Sequence, residues 1–284
     1  MILVTGAGGQ LGHALRATLG ERPALYRSSA ELDITDVEAC RRFIAEQGIS
    51  VILNAAAYTK VDKAESEQDL AFAVNRDGAR NLALAAQEAG ARLVHVSTDY
   101  VFDGLADQPY VETDKPNPQT VYGRSKLAGE DAVLEHAPHA VVLRTGWVYS
   151  TYGSNFLNTM LRLGAERENL GVVSDQTGTP TLASRLAADI VRIADQCVER
   201  DDVKGGIFHY AGGGQATWFE FARSIMAEAG LNCEVKGIST ADYPTAAVRP
   251  AYSVLDKTKV KSHFGLQINQ WQDDLTACLS ALKI

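Results

Sequence analysis

A chain of 284 residues, 46% hydrophobic and 22% charged, can bury a full core, which excludes both a minimal domain and a disordered polymer. A formal net charge of −8 argues against a nucleic-acid partner, since a phosphate-binding surface draws on clustered Lys and Arg. Cys40, Cys197, Cys233 and Cys278 are scattered with no C-x-x-C pair, so neither a disulfide framework nor a zinc site is expected, and a reducing cytoplasm suits them. The opening MILVTGAGG has too short an apolar stretch for a signal peptide, and no later run reaches the roughly 18 apolar residues of a membrane span. A soluble cytoplasmic protein without a membrane partner is the expectation.

In chain order, ILVT (2–5) reads as a strand and Gln10–Leu19 as a helix, followed by the strand ALYR (24–27). A helix over Asp36–Gln47 leads to VILN (51–54), a long helix spans Lys63–Ala89, and RLVHVS (92–97) is the fourth strand. Pro116 and Pro118 delay the next helix to Gln119–Glu135, and VVLRT (141–145) is the fifth strand. Strands alternating with helices, each strand apolar throughout, predict an α/β fold with a doubly wound parallel sheet. Beyond this, 172–181 reads as a loop, Leu182–Val198 as a helix, and GIFHYAGGG (206–214) as a strand entering a glycine turn. Helices over Trp218–Ala229, Lys257–Phe264 and Trp271–Leu282 complete a smaller, mostly helical lobe. Residues 1–165 are expected to form a dinucleotide-binding domain, with a strand added from about 206–210, and 166–284 a mainly substrate-binding lobe interleaved with it.

TGAGGQLG places Gly6, Gly9 and Gly12 between the first strand and first helix, at G-x-x-G-x-x-G spacing. A turn without side chains lets backbone N–H groups and the helix N-terminus approach a pyrophosphate, so Gly6, Gly9, Gln10, Leu11 and Gly12 are candidate contacts. A generic turn would look the same without the flanking strand and helix. The second strand ends at Arg27, where dinucleotide folds carry either an acid for a ribose hydroxyl or an Arg for a 2′-phosphate. Arg27 therefore points to NADPH, with NADH also possible, although an ordinary exposed Arg is the plainer alternative. Asp33 and Ile34 fall near the expected adenine position, and Ala55, Ala56, Ala57 and Tyr58 follow the third strand where backbone would pass close to a cofactor.

YGRSK sets Tyr122 and Lys126 four apart, on one helix face. An exposed i,i+4 pair would read identically in isolation. Together with the glycine turn, the pair suggests a phenol whose pKa is lowered by Lys126, able to exchange a proton near neutrality. Thr98, closing the fourth strand in STDYVFDG (97–104), can then orient a carbonyl, completing a candidate catalytic set of Thr98, Tyr122 and Lys126.

These residues resemble the extended short-chain dehydrogenase/reductases that act on nucleotide sugars. TGAGGQLG and Tyr–Lys mark only that superfamily. NAAAYTKVDKAE (54–65), STDYVFDG, LRTGWVYS (143–150), DQTGTPT (175–181) and VRPAYSVLD (248–256) extend the resemblance almost end to end, toward the dTDP-4-dehydrorhamnose reductase family. The resemblance implies NADPH-dependent reduction of the C4 ketone of dTDP-4-dehydro-L-rhamnose in nucleotide-sugar synthesis, with Tyr122 as proton donor. It further implies sugar-nucleotide contacts from Thr98, Asp99 and Trp147, with Asn155, Gln176 and Arg249 as candidates for the diphosphate or sugar. Relatives that dimerise around Mg²⁺ carry a Glu where this chain has Ala14, so a bound dimer metal is not expected, and monomer and homodimer both stay open. A 4,6-dehydratase would carry a second acid where Asp99 is followed by Tyr100. A 4-ketosugar reductase of other stereochemistry and a non-catalytic dinucleotide-binding subunit are the remaining alternatives.

Overall fold

Successive side chains of a strand point to opposite faces of its sheet, and here each face finds its own cover. In the computed structural model, which describes residues 1–200 and 203–282, Val4, Leu53 and Val94 face one way and Leu3, Ile52 and Leu93 the other. Leu15 and Leu19 of helix Gln10–Leu19 pack on the first face with Leu186, Ile190 and Ile193 of helix Ala183–Glu199. Cys40 and Ile44 of helix Val37–Glu46, Leu82 and Ala86 of helix Ala79–Ala89, and Val133 of helix Val121–His136 cover the second. Strands so enclosed need apolar residues at every position, the physical origin of the runs ILVT, VILN and VVLRT.

Six parallel strands form the sheet, in the spatial order 206–209, 141–145, 92–98, 51–54, 2–5, 24–27. The chain runs outward from Ile2–Thr5 to Ala24–Arg27, then returns to place Val51–Asn54 on the other side of the first strand. That reversal opens a crevice at the carboxyl ends of strands 2–5 and 51–54, the usual ligand position in such sheets. A separate apolar cluster, with Tyr149, Leu157, Met160, Phe221, Trp271 and Leu275, supports the later elements.

Several elements differ from expectation. The long helix expected over Lys63–Ala89 is divided into Val61–Ala64, Gln68–Phe72, a π-helical turn at Ala73–Gly78, and Ala79–Ala89. The wide turn carries Asn75, whose amide is spent on the Tyr58 backbone (Oδ1 from its N–H at 2.8 Å, Nδ2 to its carbonyl at 3.1 Å) and on Ser125 Oγ at 2.9 Å. Helix Phe156–Glu166 has no counterpart in the sequence reading. The expected loop 172–181 holds the end of strand Asn169–Val173 and the short strand Thr177–Gly178. Asn169–Val173 pairs in parallel with Glu234–Ile238. The polar EVKGI partner is exposed or half-buried at every position, so neither periodicity nor apolar content marked it. Strand Gly206–His209 does join the main sheet, beside Val141–Thr145. The terminal residues 283 and 284 of the expected second lobe lie outside the described residues, as do 201 and 202.

Candidate active site

The crevice is floored by backbone. Gly6 takes φ +68°, and a Cβ there would stand 2.5 Å from the Ala55 carbonyl and the Ala56 nitrogen, so the first and third strands can meet only through glycine. Ala55 N–H donates to Thr5 O at 3.3 Å, and Ala7 N–H donates to Arg27 O at 3.2 Å, tying the glycine turn to both neighbouring strands. At Gly8 a Cβ would meet nothing within 4 Å, which leaves open space over the turn. Gly9 caps helix Gln10–Leu19 without a side-chain hydrogen bond, so the first-turn N–H groups face outward for an anion. This cradle fits a pyrophosphate. Leu11 packs against the core, while Gln10 Oε1 accepts from Ser150 Oγ at 3.0 Å and from Asn155 Nδ2 at 2.9 Å.

At the end of the second strand, Arg16 lies over the Tyr26 ring, 3.9 Å from its centroid. Arg27 reaches the Phe43 ring at 4.9 Å and donates to Tyr26 O at 2.9 Å. Two guanidinium groups thus stand where the sequence reading placed one. Glu31 folds back to accept from Ser28 N at 2.8 Å and Ser28 Oγ at 2.7 Å, and these bonds hold its carboxyl below the ordinary range. Asp33 is an exposed turn residue, its Oδ1 accepting from Thr35 N at 2.9 Å and Oγ1 at 2.8 Å. The Ile34 side chain is buried in the core, which leaves only its backbone to face the expected adenine position.

Thr98, Tyr122 and Lys126 are assembled by a strand end and a helix start. Thr98 Oγ1 donates to Asp99 Oδ1 at 3.1 Å and accepts from Tyr100 N at 3.2 Å, so the chain leaves the strand in a tight 3-10 turn, Asp99–Val101. Thr120 accepts from Gly123 N at 3.0 Å and caps helix Val121–His136, which puts Tyr122 in its first turn. One turn on, Lys126 is 1% exposed, its Nζ donating to Val96 O at 2.6 Å and standing 3.5 Å from His95 Nε2. Burial lowers Lys126 to about 8, with Glu130 pulling the other way. The expected lowering of Tyr122 is not found. Burial raises its phenol above the ordinary value, opposed by Thr98 and assisted by Asp99 and Tyr100. The reason is that the pocket removes water from the phenolate more than it supplies positive charge.

Asp99 is 2% exposed and its Oδ2 has no hydrogen-bond partner among the described residues. Burial raises its carboxyl to about 6, against the hydroxyls of Ser253 and Thr98. Trp147 lies two residues beyond the end of the fifth strand at φ +51°, in the left-handed region costly to a bulky residue. Its ring is stacked on that of Trp218. Arg249 comes to the same place, its Nη1 donating to Tyr100 Oη at 3.1 Å and its Nη2 to Asp62 Oδ2 at 2.6 Å. Tyr100 in turn meets Tyr122 edge to face, ring centroids 5.6 Å apart.

Asn155 and Gln176 are engaged elsewhere. Asn155 caps helix Phe156–Glu166 by accepting from Asn158 N at 3.0 Å, and its amide also binds Ser150 O and Gln10. Gln176 is buried and donates to Thr240 Oγ1 at 3.0 Å. The sequence reading missed Trp218, Asp62, His95 and Arg16 as parts of the site. Asp62 and His95 lay within the quoted stretches 54–65 and 92–97, whereas Trp218 carried no local signal. Ala14 is buried in the core, and among the described residues no group of three or more His, Cys, Asp or Glu is placed to hold a metal ion. Among the same residues no helix is long and apolar enough to cross a membrane.

Comparison with known proteins agrees with this geometry. Residues 1–284 match the family model described as the RmlD substrate binding domain. A dTDP-4-dehydrorhamnose reductase of Aggregatibacter actinomycetemcomitans is 44% identical over 280 residues, 95% of each chain. The crystal structure of a dTDP-4-dehydrorhamnose reductase from Clostridium acetobutylicum superposes with a TM-score of 0.95 at 38% identity, covering 100% of this chain and 99% of that one. The corresponding protein of Bacillus anthracis, solved in complex with NADP, gives a TM-score of 0.94 at 39% identity, covering 99% and 98%. By sequence over its whole length and by fold, the chain belongs to the family of the RmlD substrate binding domain, that of the dTDP-4-dehydrorhamnose reductases.

Proposed function

We propose that this protein reduces the C4 ketone of dTDP-4-dehydro-L-rhamnose to give dTDP-L-rhamnose, with NADPH as cofactor. The observation that carries this reading is the meeting of Thr98, Tyr122 and Lys126 at a strand end beside an uncapped, glycine-walled helix N-terminus. Bound NADPH supplies the hydride. The residues 6–12 hold its pyrophosphate through backbone N–H groups, and Arg16 and Arg27 face the 2′-phosphate. Ala55–Tyr58 pass close beneath it. Residues 1–165 serve mainly the cofactor and 166–284 mainly the sugar nucleotide.

As the ketone is reduced, Tyr122 Oη gives its proton to the oxygen developing negative charge. The burial that raises the phenol's pKa keeps that proton in place until the charge appears. Thr98 orients the same oxygen, and Lys126 is placed to hydrogen-bond the nicotinamide ribose. The Asp99 carboxyl is the candidate acceptor for a sugar hydroxyl, and the Trp147 ring provides an apolar wall. Arg249, half-buried between Asp62 and Tyr100, supplies positive charge at the mouth for a diphosphate. Tyr100 gives elimination no second acid next to Asp99, which favours simple reduction over dehydration. The test is to follow NADPH and NADH oxidation with dTDP-4-dehydro-L-rhamnose and to identify the sugar formed. The expected product is dTDP-L-rhamnose, and no oxidation, or a different epimer, would overturn the reading.

A further inference from the structure

Beneath Lys126 runs a buried hydrogen-bonded chain that the reaction as described does not use. Asn54 Oδ1 accepts from Thr5 Oγ1 at 2.7 Å and from Ala56 N–H at 3.1 Å. Because a backbone N–H can only donate, the amide orientation is settled, and Asn54 Nδ2 is the atom that faces His95 Nδ1 at 2.8 Å. His95 Nδ1 must accept. The ring is 1% exposed, and burial together with Lys126 pushes its pKa well below the ordinary value, so it is neutral and carries its one proton on Nε2. That Nε2 stands 3.5 Å from Lys126 Nζ, whose own hydrogen bond goes to Val96 O. Two donors thus face each other across a water-poor gap.

We propose that His95, locked as the Nε2–H tautomer by Asn54 and Thr5, is a positioning residue that aims the Lys126 ammonium at Val96 O and eases its loss of a proton. An N–H dipole pointing at an ammonium opposes the charged form, while the neutral amine could accept from it. Burial already lowers Lys126, and the charged groups around it do not add to that effect. Glu130, on the same helix, pulls the opposite way and is shared with Arg144 of the fifth strand. Asn75 of the π-helical turn is neutral and bonded to Ser125. Further out on the packed helices, Arg76 and Arg80 pair with Asp77, Asp62 pairs with Arg249, and Glu65 binds Val121 N. The consequence is a lowered upper pH limit for any step that needs Lys126 charged.

Two measurements test this, and only the second rests on the reductase reading. In ¹⁵N-labelled protein, the imidazole nitrogens of His95, assigned by their loss in His95→Gln, are followed from pH 6 to 9. A protonated Nε2 and bare Nδ1 that do not titrate are expected; an Nδ1–H tautomer or an imidazolium would overturn the proposal. In the activity profile, His95→Gln can turn a carbonyl toward Lys126 and should move the high-pH limb of kcat up by about one unit. A residue that only filled space would lower activity equally at every pH, and that outcome would also overturn it. If His95→Gln does not fold, Asn54→Asp provides the same test, since a carboxylate draws the His95 proton to Nδ1 and leaves Nε2 to accept from Lys126. Failure of the unmutated protein to turn over the ketosugar would instead refute the reductase reading, with the nitrogen spectrum still deciding the tautomer.

Discussion

The indole of Trp147 lies flat against that of Trp218, centroids 3.4 Å apart and planes within 4°. A residue just beyond the fifth strand is thereby clamped by the start of helix Trp218–Glu228, far later in the chain. The clamp matters because Trp147 is the only non-glycine with positive φ among the described residues, and such strain persists only when packing over-determines it. Removing the face of Trp218 should free Trp147. Trp218→Leu is expected to raise KM for the nucleotide sugar about tenfold, the order of one aromatic contact, with a smaller change in kcat. Trp218→Phe should recover much of the loss, and equal KM values for all three proteins would refute the wall role of Trp147.

Tyr122→Phe keeps the ring that packs edge-on against Tyr100 but removes the proton. Turnover should fall by about 10²–10⁴, the usual contribution of a positioned acid. NADPH affinity, read by fluorescence titration, should stay within about twofold of the parent. A variant with near-normal turnover would show that the proton comes from elsewhere.

Cofactor choice should follow the second strand end. Arg27→Asp replaces the guanidinium proposed to face the 2′-phosphate with an acid suited to a ribose hydroxyl. The ratio of kcat/KM for NADPH over NADH is expected to drop by about tenfold or more, a charge-assisted contact being worth about 1.5–3 kcal/mol. Because Arg16 lies over the Tyr26 ring at the same strand end, the shift should deepen in a protein that also carries Arg16→Ala. An unchanged ratio would exclude both from phosphate recognition.

Glu130 and Arg144 are 0% and 1% exposed, joined at 2.7 Å, with Ser97 also donating to the carboxylate. Glu130→Gln leaves Arg144 charged and unpaired in the interior, which should cost about 3–5 kcal/mol of stability. Replacing both partners, as Glu130→Leu with Arg144→Met, should cost much less, because no buried charge is then left alone. Urea denaturation of the three proteins decides the matter, and comparable losses in the single and double variants would be the wrong outcome.

Asp99 sets a pH dependence of stability whose sign can be worked out. Its folded carboxyl is raised from the ordinary 3.8 to about 6, so between these values the native state holds a proton that the unfolded chain has released. Its ionisation therefore costs stability fully above pH 6, and the cost is relieved as the pH falls toward 4. Asp99→Asn removes the charge and should stabilise the protein by about 1–3 kcal/mol at pH 7.5, with the gain shrinking by pH 5. Denaturation midpoints at the two pH values check this, and a gain independent of pH would rule out titration of Asp99 as its source.

Much of this protein was legible in its residues because the signals are local. A strand covered on both faces must be largely apolar, so all six sheet strands stood out, and a glycine turn followed by an amphipathic helix marked a candidate pyrophosphate cradle. The pairing of Tyr122 with Lys126 needed only helical periodicity. The break in the expected 63–89 helix was not visible, because the π-helical turn is held by bonds from Asn75 to Tyr58 and Ser125, far apart in the chain.

What residue order alone determined was the sheet, its glycine turn and the candidates for the reacting side chains. Tertiary structure decided where those side chains point and how readily they give up protons. Burial, which no single residue encodes, raised Tyr122 and Asp99 and lowered Lys126. It also drew Asn155 and Gln176 into structural hydrogen bonds while bringing Trp218, Asp62 and His95 to the site from separate elements. Long-range packing is the physical reason, since desolvation and contact at one point depend on every segment that closes over it.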